Sequence, residues 1–589
     1  MSPPELKDKN MINIFERNRT MTKIFKKLVS AVITVIMVMS LGISVFAEDF
    51  TISKPTDDKA THTYTAYQIF SGTRTESVPA TDPKTYYLTN VAWGSGVDGD
   101  ALLTKLKADS SSFKDDFKDC TDATSVATVL GGFDETKAMN FAKFLKSSGC
   151  LKSAAAITST DGSFSGVAVG YYLITDSVPA DSNGAASAPM LKAVGIHTLN
   201  GVEAKEDLPT LDKKIVEGNN TTTEANTAAV GDTINYRITS KVPDVRGQGY
   251  NDYWFSVSDT FCKGLMYNGD VKVKIDDTVY TKVSVTPAST GDGSAESTIY
   301  ITLNDFLDVA TDAGKVGKSI VIEYSATLTK DCDMTPAGNV NTARLIFSND
   351  PNEDYSGTFT PDNPGKPVGK TPEKKTKTYT TGIAVIKVDD STPAKRLTGA
   401  DFEIVLSGTS TSQVVVETEK YTVDASANPA YYKLADGSYS LTAPAGVTNP
   451  VKYAKTIERS VQTAGSTTTN VTATVDDQGY LVFEGLGTGT YTISEAKAPT
   501  GYIRDTNSHT ITITANHPDF NDPNWSYEVD NNTAQSGAVT LTFTNVKSSN
   551  LPETGGIGRT VFYVAGSVLL LAGVSLFAVK KKTGREETK

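Results

Sequence analysis

An all-β architecture of tandem β-sandwich domains is the fold class this sequence predicts, and three observations lead there. Strand-length runs with period-two alternation recur along the chain, as in TYTAYQIFSG from Thr63 to Gly72. Turn residues separate such runs at the intervals sandwiches use. Helical spacing is confined to about 100–146, where Leu102, Leu103 and Leu106, then Phe141, Phe144 and Leu145, recur at helical intervals. The chain has 589 residues, enough for about three domains between its two ends.

Residues 48–205 open on the strand pattern above and return to strands at GVAVGYYLITDS, Gly166 to Ser177, which predicts a sandwich with a helical insertion. Residues 206–360 predict strands near Thr233–Lys241, Tyr253–Asp259, Val271–Ile275, Ser319–Leu328 and Ala343–Phe347. Residues 361–380, PDNPGKPVGKTPEKKTKTYT, are rich in Pro and Lys without apolar periodicity and read as a linker. Residues 381–549 form a third module, whose Thr- and Ser-rich middle, about 407–470, reads as an insertion of long hairpins.

The two ends carry processing signals. In residues 1–47, Lys23, Lys26 and Lys27 precede an apolar run from Leu28 to Val45, and Val45-Phe46-Ala47 offers a small residue before Glu48. Basic head, apolar middle and small residue describe a secretory signal peptide. Translation starting at Met1, Met11 or Met21 is compatible with it. In residues 550–589, NLPETGGIG is followed by an apolar run, Val561 to Val579, and by Lys580, Lys581 and Lys582. Roughly twenty apolar residues span a bilayer as a helix, and the lysines favour the cytoplasmic side. Leu551, Pro552, Glu553, Thr554 and Gly555 match the LPxTG signal that sortase transpeptidases cut between Thr and Gly, so both apolar helices are expected to leave on maturation.

The formal net charge of −12 argues against nucleic acid as a partner. The four cysteines fall two by two, so Cys120–Cys150 and Cys262–Cys332 are disulfide candidates in an exported chain, with free buried thiols as the alternative. There is no CxxC, GxSxG or HExxH, and His62, His197, His509 and His517 sit in no constellation the sequence reveals. No metal, cofactor or turnover enzyme is expected.

Some lysines occupy positions that ought to be buried. In the third module, Ile383, Val385 and Lys387 share one strand face while Ala384, Ile386 and Val388 share the other. YTISEAKAPTGY sets Glu495 after a strand, and LTFTNVK places Asn545 in the last one. Together these stretches resemble the CnaB-type domain of Gram-positive surface proteins and pili, an immunoglobulin-like sandwich with a first-strand Lys, a Glu in a YxLxExxAPxGY box and a last-strand Asn. The box here reads Glu-Ala-Lys where many relatives have Glu-Thr.

The resemblance implies an autocatalytic isopeptide bond. Burial lowers a lysine pKa and frees the amine for attack, while a buried acid stays protonated and polarises the amide oxygen. Lys387 would attack Asn545 with Glu495 as the acid.

The middle module, through VSDTFCKGLMYN and GNVNTARLIFSNDP, resembles the isopeptide-forming domain of fimbrial shaft proteins. This implies Lys213 as amine, Asp259 as acid and Asn341 as amide. Lys214, Glu323, Asn339 and Asn349 are rivals for these roles.

In sortase-built shafts a lysine in a YPK-like stretch ending the first domain accepts the Thr of the next subunit. Lys205, in Val202-Glu203-Ala204-Lys205, occupies that place without the Tyr-Pro, and Lys192 is its rival. The expected protein is a secreted, peptidoglycan-anchored shaft subunit of a surface pilus. Its expected partners are other copies of itself, pilus and housekeeping sortases, minor pilins and host surface ligands. The alternative is a wall-anchored monomeric adhesin or a minor pilin.

Overall fold

The computed structural model describes residues 47–76, 86–196, 201–204, 206–407, 413–463, 470–515, 520–521, 525–532, 535–536, 539–548 and 567–569. The signal-peptide reading (Ala47 apart), the membrane-helix reading (567–569 apart), Leu551–Gly555 and Lys205 lie outside them. Among the described residues no helix is long and apolar enough to cross a membrane.

The first domain packs a three-stranded sheet, with Ala47–Ser53 between Ser163–Ala168 and Gly201–Glu203, against a five-stranded sheet built around Tyr64–Glu76 and Gly170–Thr175. The expected helical insertion is present as Gly99–Leu106, Lys114–Phe117, Ala123–Leu130 and Glu135–Ser147. Asp98, Asp122 and Asp134 cap three of these helices by accepting from the backbone N–H groups of Ala101, Ser125 and Lys137. Leu102, Leu106, Phe141 and Leu145 turn inward, where Phe113 stacks on Phe133 and meets Phe141 edge-on, with Phe117 tilted against Phe141. The insertion also reaches the middle domain: Lys143 Nζ donates to Pro351 O at 2.7 Å and to Gly249 O.

The middle domain is a sandwich of two seven-stranded sheets. Thr233–Lys241 and Ser319–Leu328 match their predicted bounds, and Lys272–Ile275 falls within one residue of its own. The strand around Asp259 runs Phe255–Phe261, and the strand that ends at Phe347 begins earlier, at Asn339.

The linker reading is corrected. Lys374–Tyr379 is a strand that pairs antiparallel with Asn339–Phe347 and parallel with Ala225–Thr227, completing a middle-domain sheet. Thr376, Thr378 and Tyr379 are buried, while Lys375 and Lys377 lean outward. Alternation is present, but threonines carry it, so a search for apolar periodicity passes over it.

The third domain sets a five-stranded sheet centred on Thr381–Asp389 and Tyr480–Leu486 against a six-stranded sheet holding Asp401–Ser407 and Gly489–Lys497. The insertion is the expected long hairpin, Gln413–Val423 paired with Tyr453–Thr463. Val415 joins the middle-domain core, and Val230 N donates to Gly485 O at 2.9 Å, so the two domains share an apolar seam.

Candidate functional site: two buried lysine clusters

In the third domain Thr381–Asp389 runs parallel to Val539–Asn545, with Lys387 opposite Phe543 and Asp389 opposite Asn545. Residues two apart share a face, so Lys387 and Asn545 both point into the core. Glu495 reaches the same point from the facing sheet, where it pairs with Phe402. None of the three is more than 1% exposed.

Lys387 Nζ donates to Asn545 Oδ1 at 2.6 Å and to Phe543 O at 3.0 Å, and lies 3.7 Å from Glu495 Oε1. Asn545 Nδ2 donates to Glu495 Oε1 at 2.9 Å, and Asp505 N donates to Oε2 at 2.7 Å. Burial pulls the Lys387 pKa down, against the attraction of Glu495.

The sequence reading sets the acid on the amide oxygen, whereas here it accepts from the amide nitrogen. An ammonium seeks the oxygen and a carboxylate the NH₂, so this is the arrangement of the charged pair. Gly479 fits the backbone around Lys387: its φ is +64°, it accepts from Lys387 N at 2.8 Å, and a Cβ there would stand 2.8 Å from Lys387 O.

The middle-domain cluster places the same residue types differently. Lys213 projects from Asp212–Val216 in one sheet, while Asp259 and Asn341 come from adjacent strands of the other, where Asn341 pairs with Phe261, two residues beyond Asp259. None of the three is more than 1% exposed. Lys213 Nζ contacts Asp259 Oδ1, donates to Tyr324 OH at 2.7 Å, and lies 5.0 Å from the Tyr236 ring centroid. Burial pushes its pKa down to about 8, against the pull of Asp259. Asp259 Oδ2 and both Asn341 amide atoms have no hydrogen-bond partner, although Asn341 stands close to the Tyr236 and Tyr324 hydroxyls. An unpaired buried amide is costly.

The rivals have other work. Lys214 turns outward, donating to Glu224 Oε1 at 2.6 Å, and Glu323 pairs with Arg237 at 2.8 Å. Asn339 is held at both amide atoms by Asp333 N and Asp333 O. Asn349 donates to Gly184 O at 3.2 Å across the boundary with the first domain. Lys192 lies in the edge strand Met190–Val194, its pKa lowered by burial.

Of the two cysteine readings, the structure has Cys120, Cys150, Cys262 and Cys332 as free thiols. Cys120 and Cys150 belong to one apolar cluster, and Cys262 packs against the cluster holding Cys332. Burial raises the thiol pKa at Cys262 to about 11 and at Cys332 to about 12, which keeps them protonated.

His62 is a further departure. Sequence reasoning places it in no constellation, yet it is buried among Asp58, Asp176 and Glu206. Burial opposes its charge, but the Asp176 and Asp58 carboxylates outweigh that and lift its pKa to about 9. Burial, with Asp58 and Asp176 nearby, pushes Glu206 up to about 8 although His62 pulls the other way. The short Asp58–His62 spacing was the available signal; the other two members lie more than a hundred residues on.

Tandem sandwiches with a lysine, an acid and an asparagine in two of their cores, followed by a sorting signal, define an exported, wall-anchored surface protein. The description "SpaA: Prealbumin-like fold domain" matches residues 454–522, and "LPXTG cell wall anchor motif" matches residues 544–583. The chain is similar to the trypsin-resistant surface T6 protein of Streptococcus pyogenes serotype M6, at 24% identity over 406 residues, covering 64% of this chain and 70% of that protein.

Among solved structures it is similar to the T6 backbone pilin of serotype M6 Streptococcus pyogenes, with 16% identity and a TM-score of 0.47 over 85% of this chain and 98% of that one. It is also similar to the major pilin SpaA of Corynebacterium diphtheriae, with 12% identity and a TM-score of 0.40 over 85% and 100%. The anchor motif and the prealbumin-like region mark a cell-wall-anchored surface protein, and the T6 protein is similar to it in sequence.

Proposed function

We propose that this chain is the shaft subunit of a surface pilus, in which the Thr554 carbonyl of one copy is joined to the Lys205 amine of the next. For the last copy added, the peptidoglycan takes the place of Lys205. The observation that carries this reading is the pair of buried clusters in consecutive domains, each linking the first core strand to a strand more than a hundred residues later. Such ties suit a subunit held under tension within a covalent chain.

Each cluster supports an isopeptide bond. The lysine passes a proton to its acid, leaving both groups uncharged in the apolar core. The free amine attacks the asparagine carboxamide, the C–N bond to the amide nitrogen breaks, and ammonia leaves. In the third domain a half-turn of the Asn545 amide sets its oxygen on the protonated Glu495, which then polarises the carbonyl. Each bond forms once per molecule, so the chain processes itself and turns over no substrate.

Boiling surface extracts in detergent and blotting for this protein tests polymerisation. A high-mass ladder from wild-type cells that collapses to monomer in Lys205→Ala is expected. A single band from wild-type cells would fit a monomeric adhesin and end the shaft reading.

The third-domain chemistry has its own test. Glu495→Ala is expected to remain about 17 Da heavier, relative to its own sequence mass, than wild type by intact mass spectrometry, because no ammonia leaves. Equal losses in both would remove Glu495 from the reaction.

A further inference from the structure

The loop between Ala47–Ser53 and Tyr64–Glu76 carries Asp58 and His62, and both side chains are buried. Asp176 follows the strand Gly170–Thr175, and Glu206 lies on the connector into the middle domain. His62 Nδ1 stands 3.0 and 3.1 Å from the two Asp176 carboxylate oxygens. That carboxylate is itself fixed by Ser187 N at 2.8 Å. It therefore takes the Nδ1–H and leaves Nε2 facing Asp58 Oδ2, 3.1 Å away. Asp58 is fixed in turn by Ala60 N at 2.7 Å and Ala185 N at 3.2 Å.

Nε2 meets that carboxylate oxygen either as an N–H donor or, when deprotonated, across a bound cation. In the metal-free site a proton on Nε2 answers that contact and leaves Glu206 unanswered. Glu206 is only 8% exposed, and neither of its carboxylate oxygens has a hydrogen-bond partner. One ligand atom from each of Asp58, His62 and Glu206 lies within 4.8 Å of the others. Three carboxylates thus converge on one imidazole. Lys54 Nζ lies 3.7 Å from Asp58 Oδ1 on a side chain one-third exposed. A single divalent cation would satisfy Nε2, Asp58 Oδ2 and Glu206 together. A carboxylate behind a ligating histidine is also the usual way to fix its tautomer.

We propose that Asp58, His62 and Glu206 bind one divalent transition-metal cation, with Asp176 orienting His62 from behind. One nitrogen and two or more carboxylate oxygens suit zinc or manganese. The cation would clamp the connector that begins at Glu206 onto the first domain. This inference does not rest on the shaft reading, since it concerns residues present in the isolated subunit.

The test uses the mature chain, residues 48–554, stripped with a chelator and titrated calorimetrically with Zn²⁺ alone and with Mn²⁺ alone. One site per chain is expected, with micromolar or tighter affinity for at least one of the two. Metal at a hundredfold excess over Kd is expected to raise the first melting transition by about 5 °C. Glu206→Gln keeps the shape of the side chain and is expected to weaken binding about a hundredfold. Asp58→Asn is the second variant should Glu206→Gln fail to fold. Failure of both cations to bind at one per chain, or wild-type affinity in a folded variant, would overturn the proposal.

Discussion

Asp259→Ala is expected to leave the middle domain unbridged and to lower its stability by about 5 kcal/mol. The figure follows from the closed loop. Lys213 and Asn341 are 128 residues apart (341 − 213), and a cross-link of that span removes about that much conformational freedom from the unfolded chain. Asp259 is the group that takes the Lys213 proton. Without it the amine keeps Tyr324 OH, at 2.7 Å, as its polar partner and loses the acid that would activate Asn341.

Two measurements check the outcome. By intact mass, wild type should fall about 34 Da below its sequence value and the variant about 17 Da below its own, one ammonia per bond. Chemical denaturation of the variant should show an earlier middle-domain transition. Lys213→Met should give the same mass deficit as Asp259→Ala while removing the buried amine as well. Any further difference in stability between the two variants then compares a lysine buried without its acid with an acid buried without its lysine. A wild-type mass equal to the sequence value would remove both bonds at once.

Lys387 was legible from its strand face, while the other cluster residues came from the resemblance of their stretches to CnaB-type and fimbrial shaft domains. One-residue alternation separates Lys213 from Lys214, and the structure turns the first inward and the second toward Glu224. Asn341 was named over Asn339 from the resemblance alone, since both are buried on the same strand and only their partners differ. Strands with apolar alternation, such as Thr233–Lys241, were legible almost to the residue. Lys374–Tyr379 was not, because its inward residues are threonine and its composition is that of a linker. The His62 cluster was hidden for another reason: its members come from a loop, a strand end and an inter-domain connector, and only the fold brings these together.

The misread strand also changes what the proposed shaft should do under force. In a polymer joined through Lys205 and Thr554, tension enters at residue 205 and leaves at residue 554, so the first domain lies off the path. The two isopeptide bonds would carry the tension across the loops 213–341 and 387–545. Between them, residues 342–386 are free to extend, and they include Lys374–Tyr379, whose Thr376 pairs directly with Asn341. Pulling a single subunit by handles at positions 205 and 554 is therefore expected to shear that strand from the sheet first. It should release at most about 150 Å from these 45 residues (386 − 341), at roughly 3.4 Å each. No longer step should follow. The Asp259→Ala, Glu495→Ala double variant should add steps of about 430 and 540 Å as the unlocked loops of 128 and 158 residues pay out. Long steps in wild type would mean that the bonds are absent or tie other residues. A short step alone would locate the extensible element of the shaft at the seam between the middle and third domains.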